Sequence, residues 1–264
     1  MRIEWRLVLI ALVLAAPVRA ASYSASEHEQ RMLRRLVEDD VEGWRTSGDK
    51  GLDYSEWPMV VRVAKLVDAY SENEVAADLA YKGKRVVVSA VVEAIRKDAA
   101  DQPFLSLSAG NGAALRSLHA RFPESSQAEL ALVKKKQQVT VSCVARGLLL
   151  SQPVLDDCSL FNSDRVTDSM MKKVEAALRG EREANEGVAA LVVFGLAFAR
   201  LTKPDSTCIT KPMKGNKHCE AELDRLMRKG GGLEAAADTV RKELLGAGLK
   251  WAALAVKDAQ DAGR

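Results

Sequence analysis

The chain has 264 residues, 47% hydrophobic and 28% charged, which suits one or two compact domains with real cores and excludes a disordered or collagen-like chain. Its formal charge is +3, but residues 1–20 hold Arg2, Arg6 and Arg19 against Glu4 and account for +2, leaving +1 on the remainder. A balance so close to neutral excludes a polycation that binds nucleic acid or membranes by net charge alone.

The opening, MRIEWRLVLIALVLAAPVRA, has the form of an export signal. Arginines charge its start, Leu7 to Val18 is an uncharged and mostly apolar run, and Val18 and Ala20 stand where a signal peptidase reads. The run is short for a span, which needs about 20 residues. The expectation is cleavage near Ala20 and a periplasmic or secreted protein. Residues 21–70 form a helical N-terminal segment. Ser26 and Glu29 make a capping box, and Met32, Leu33, Leu36 and Val37 recur at helical spacing to about Gly43. RTSGDKGLDYSEWP is a loop, and a second helix is expected over MVVRVAKLVDAY after Pro58. Ser71 and Glu74 repeat the capping pattern, and Gly83 marks a helix end.

The period then changes. RVVVSAVVEAI is a long strand with Val86, Val88, Ala90, Val92 and Ala94 on one face. A turn at KDAADQP leads to a strand FLSLSAG, a further strand within AALRSLHARF, and a helix over PESSQAELALVKK with Pro123 near its first turn. QQVTVSCVARGLL alternates, with Val139, Val141, Cys143 and Ala145 inward, and PVLDDCSLF supplies a final strand. Five strands with a helix ahead of the fourth suit a small OB-type barrel over 71–162. Residues 163–264 read as a helical C-terminal region. Within it the uncharged run from Gly187 to Ala199 is too short to span a bilayer comfortably and is expected as a buried helix, while GGG at 230–232 marks a hinge. The fold class is therefore α+β: a five-stranded OB-type β-barrel flanked by N-terminal helices and a helical C-terminal region.

Over about residues 70–162 the chain resembles the tRNA-anti-like family of bacterial OB-fold proteins. The features are Ala76 and Asp78 ahead of Tyr81-Lys82-Gly83-Lys84, the first strand, the Val-Thr-Val strand and the Cys158-Ser159-Leu160 ending. The resemblance implies an OB barrel, occurrence largely in exported proteins and, by the family's name, RNA contact. Lys136 and Gln137 stand where the family pattern has a lysine-glycine turn.

Four cysteines in an exported chain favour disulfides over thiol chemistry. If the last two strands form a hairpin turning at Leu150-Ser151, Cys143 opposes Cys158, and a clasp there is worth roughly 3 kcal/mol. Cys208 and Cys219 make the second near pair, although three pairings are formally open. That second loop, CITKPMKGNKHC, holds Lys211, Lys214, Lys217 and His218 with no acid, and Lys134, Lys135 and Lys136 form another basic cluster. Both are candidate partner-binding surfaces or simply solvated charge. Cys208, His218 and Cys219 lack the fourth ligand and the spacing of a zinc site.

No metal or cofactor is expected, and no catalytic residue is assigned. The three histidines, His28, His119 and His218, fall in no nucleophile elbow or metal pair. Asp156 and Asp157 would point to opposite sides of a strand, and EDDVE at 38–42 reads as a solvated helix face. An OB barrel invites nucleic acid, but this one offers only Tyr81, Phe104, Phe122 and Phe161 for stacking, and the export signal also disfavours it. The expected function is thus a non-catalytic periplasmic binding module with a protein partner in the envelope, for toxin neutralisation or envelope assembly. A nucleic-acid or oligosaccharide binder is the alternative; an enzyme has the weakest support.

Overall fold

The computed structural model describes residues 22–48, 57–108, 117–228 and 232–256. The expected signal and its cleavage point, and most of the loop after Ser47, lie outside these residues.

Helix α1 (Glu27–Ser47) starts at the predicted capping box, where the Ser26 side chain accepts from the Glu29 N–H and the Glu29 carboxylate accepts from the Ser26 N–H. It ends at Gly48, whose φ of 75° needs no Cβ. The helix expected from Met59 begins later. Met59–Val60 is a short strand, β1, and Val63–Glu72 is α2. β1 lies parallel to the next strand, pairing Met59 with Val86 and Val60 with Val87. β-branched side chains beside an open strand edge favour pairing over a first helical turn. Helix α3 (Glu74–Tyr81) is capped by Asn73, which accepts from the Ala76 N–H, and not by Ser71, which lies inside α2.

The barrel follows: β2 (Arg85–Lys97), β3 (Pro103–Ser108), β4 (Ser117–Arg121), β5 (Gln138–Leu149) and β6 (Gln152–Leu160). The strand order β2-β3-β4-β6-β5 closes through β2–β5 pairing, with β4 and β6 parallel and the other pairs antiparallel. This is a closed five-stranded OB-type barrel. The helix expected after Pro123 is cut short to a 3₁₀ turn (Glu124–Ser126) and α4 (Gln127–Leu130). The chain must turn so that Lys136 can donate its N–H to the Val92 carbonyl and enter β5. Lys136 takes φ 68° there, a left-handed conformation, next to Gln137 at the position of the family's glycine.

Strand β2 departs from plain alternation. Val86, Val88, Ala90 and Val92 enter the barrel core as expected, but a bulge between Val92 and Ala94 reverses the remainder. Ala94 therefore lies in the outer row with Ser106, while Ile95 packs on the core opposite Leu105. Leu66, Val67 and Tyr70 of α2 also belong to this core.

The C-terminal region is helical: α5 (Ser163–Leu178), α6 (Glu186–Leu201), α7 (Thr207–Thr210), α8 (Lys217–Met227) and α9 (Leu233–Gly246), closed by a 3₁₀ segment Lys250–Val256. α6 is buried nearly all round, and no helix among the described residues is long and apolar enough to cross a membrane. Its main partner from outside the region is α1: Met32, Leu33, Val37 and Val41 share one core with α5, α6 and α9. The N-terminal helices are thus divided by packing, α1 joining the C-terminal body and α2 and α3 the barrel.

Both near cysteine pairs are disulfides, Cys143–Cys158 and Cys208–Cys219. Such bonds persist in oxidising, extracytoplasmic compartments.

Candidate binding face of the barrel

The bulge in β2 has a consequence for chemistry. Plain alternation would turn Arg96 inward with Val92; after the reversal it faces out. Cross-strand register then sets Arg96, Phe104 and Arg121 in one outward row over β2, β3 and β4, with Ser106 and His119 in the next. The Phe104 and His119 rings lie 4.9 Å apart, within the range of aromatic contact. A half-exposed aromatic flanked by guanidinium groups combines a stacking surface with anion-binding donors.

The charge on this face is mixed. Arg121 Nε lies 3.5 Å from Asp98, while Ser106 Oγ donates to Glu93 at 3.3 Å. Arg96 has no ion-pair partner among the described residues. His119 is held below its ordinary pKa, first by burial and then by the charges of Arg121 and Arg96, so it is neutral near pH 7. An anion placed here would reverse that sign.

Other sequence candidates fall elsewhere. Tyr81 and Phe122 are buried in the barrel core and offer no stacking face; Phe161 packs toward Trp44. Asp157 occupies a second bulge, at φ 50°, and pairs with Arg85, while Asp156 lies 3.4 Å from Arg146. These are ion pairs between strands, not a joint acid–base pair.

Lys134, Lys135 and Lys136 are exposed on the turn into β5. Lys211, Lys214, Lys217 and His218 are exposed on the helical body, so the two basic clusters sit on different bodies. The disulfide loop is firmly held. The Met213 N–H donates to both Asp39 carboxylate oxygens at 3.2 and 3.1 Å, and Arg35 Nε donates to the Ile209 carbonyl at 3.3 Å. The acidic run 38–42 is therefore not merely solvated: Asp39 anchors the loop, and burial raises its pKa against the opposing pull of that N–H. Glu38 pairs with Arg35 and Glu42 with Arg45.

His28 is structural, with Nε2 donating to the Ala199 carbonyl at 2.7 Å. Among the described residues no group of three or more His, Cys, Asp or Glu is placed to hold a metal ion.

Comparison with known proteins gives a family model, described as tRNA_anti-like, that matches residues 1–159. This match begins well upstream of the stretch, from about residue 70, that carries the sequence resemblance. Among solved structures, a Klebsiella pneumoniae chain named as a nucleic acid-binding lipoprotein is similar at 18% identity and TM-score 0.36, over 43% of this chain and 100% of that one. No curated protein matches the chain.

Proposed function

Because the chain belongs to the tRNA_anti-like family, we propose that it is an exported, non-catalytic binding module that holds a single-stranded nucleic acid segment across β3 and β4. The observation that supports this reading is the row Arg96–Phe104–Arg121 with His119 beside it. Scarce aromatics and an export signal disfavour nucleic acid at the level of sequence, but one aromatic in register with two arginines suffices for a base to stack and a phosphate to pair. The two disulfides and the signal-like start support periplasmic residence after cleavage near Ala20.

The test is fluorescence anisotropy with a labelled single-stranded DNA of mixed sequence. Phe104→Ala weakens binding at least about fivefold, since base stacking is worth roughly 1–3 kcal/mol. Salt dependence is shallow, because Asp98 already occupies Arg121 and each phosphate contact contributes only about −0.7 to the slope. Affinity rises as pH falls through 6.5, since the bound anion favours the His119 imidazolium that the free face disfavours. Absence of saturable binding at low salt, or an unaltered Phe104→Ala variant, overturns the proposal.

A second reading is a protein partner in the envelope, in toxin neutralisation or assembly. It is supported by the exposed Lys211, Lys214, Lys217 and His218 on a loop stapled by Cys208–Cys219. Reversing the three lysine charges would then abolish capture of one stoichiometric partner, and Phe104→Ala would leave that capture intact.

A further inference from the structure

Between the two cores lies a cleft of about 170 Å³. One wall is the outside of the barrel, where Ser142 and Ser159 stand opposite each other across β5 and β6. The other walls are aromatic. Trp44 and Trp57 meet edge to face at 4.6 Å, and Phe161 lies 5.7 Å from Trp44. Arg165 stands at the mouth, exposed.

The polar groups here are unused. Neither serine hydroxyl has a hydrogen-bond partner among the described residues, and the Arg165 guanidinium has no ion pair among them. A ring-shaped ligand with an acid group uses both the rings and the polar groups, and junctions between packed bodies are where small-molecule sites concentrate.

We propose that this cleft is a binding site for a small aromatic carboxylate. The ring lies against the half-exposed Trp57 and Phe161, with the buried Trp44 behind them, and the carboxylate accepts from Arg165 and the paired serine hydroxyls. The volume is below the roughly 300–1,000 Å³ of drug-sized pockets, so the ligand is a single ring with a short acid substituent. Arg165 supplies the selection for an anion; the rings supply the selection for a flat apolar body. This site is separate from the outward row over β3 and β4, and it stands or falls independently of nucleic-acid binding.

The experiment titrates the mature protein with benzoate and, in parallel, with benzyl alcohol, a neutral ring of the same size. Tryptophan emission excited at 295 nm reports occupancy at Trp44 and Trp57, and calorimetry provides the stoichiometry. Benzoate is expected to saturate one site and to bind about tenfold or more tighter than benzyl alcohol. Arg165→Gln, a surface change with no expected loss of folding, removes that preference. Ser142→Phe fills the cleft and removes both probes; Ser159→Leu does the same should Ser142→Phe fail to fold. Equal affinity for the two probes, a preference that survives Arg165→Gln, or no saturable binding of benzoate up to millimolar concentration overturns the proposal.

Discussion

In the barrel, apolar and polar residues alternate along each strand, so Val139, Val141, Cys143 and Ala145 enter the core while Thr140, Ser142 and Val144 stay partly outside. In the helical body, α6 carries apolar residues on every side and is covered by elements from both ends of the chain. The barrel thus makes its core largely from one continuous stretch of sequence, α2 to β6. The helical body closes only when α1 crosses the full length of the barrel sequence to reach α6. Local pattern dictates the first; long-range pairing dictates the second. Their disulfides follow the same division. Cys143–Cys158 ties two strands inside the barrel core, whereas Cys208–Cys219 is buried in the helical core and fastens the base of an exposed loop that Asp39 of α1 also holds.

The largest expected losses are at those clasps, each in a different body. Replacing Cys143 and Cys158 together by alanine costs about 3 kcal/mol from loop entropy alone, plus the packing of two side chains that are 0% and 1% exposed. Replacing Cys208 and Cys219, likewise 0% and 1% exposed, opens a shorter loop and so loses only roughly a few tenths of a kcal/mol less entropy, with a packing loss confined to the helical body. Urea unfolding with a barrel and a helical probe measures both; a larger loss from the loop pair would break the comparison.

Next is the α1–α6 crossing. A Cβ at Gly195 would stand 2.6 Å from Leu33 Cδ2 and 3.0 Å from Leu36 Cδ1. Gly195→Val therefore destabilises by about 2 kcal/mol through overpacking, and hydrogen exchange should show α1 opening before β2 to β6. Gly246 has nothing within 4 Å of a Cβ, so Gly246→Ala leaves stability unchanged or slightly higher.

Acid separates the bodies further. Burial would raise the Glu29 pKa, but donors from the Ser26 backbone, Tyr23, the Ser26 hydroxyl and Arg200 together hold it below its ordinary 4.5. Its contribution is full above pH 4.5 and drains as pH falls below that value, so the helical body weakens there. On the barrel, the depressed His119 pKa makes the loss begin earlier, as pH falls through 6.5. Unfolding at pH 7.5, 5.5 and 3.5 should show the His119→Gln variant removing the early change and Glu29→Gln removing the late one.

The smallest effects are gains at turns. Lys136→Gly and Leu150→Gly each relieve a left-handed backbone, at φ 68° and 50°, and should stabilise by about 1 kcal/mol. Thermal midpoints that fall instead would mean those side chains make contacts that outweigh the strain.

The amino-acid sequence by itself determined the α+β class, the five barrel strands, the capping box of α1 and the opposition of Cys143 and Cys158. Each rests on short-range physics: period-2 alternation, a three-residue cap, and hairpin arithmetic around Leu150-Ser151, both of which take the positive φ of a tight turn. Two compensating bulges within the hairpin, at Arg146 on β5 and Asp157 on β6, cancel, which is why the opposition survives. Only the tertiary structure decided the rest. The candidate face escaped notice because one extra residue in β2 reverses the side chains that follow, and nothing in RVVVSAVVEAIRK marks where that residue lies. The docking of Asp39 on the second disulfide loop, and the cleft between the bodies, join residues that are distant in the chain. Charge and hydropathy patterns describe what a side chain prefers, and only the packed fold says which partner meets that preference.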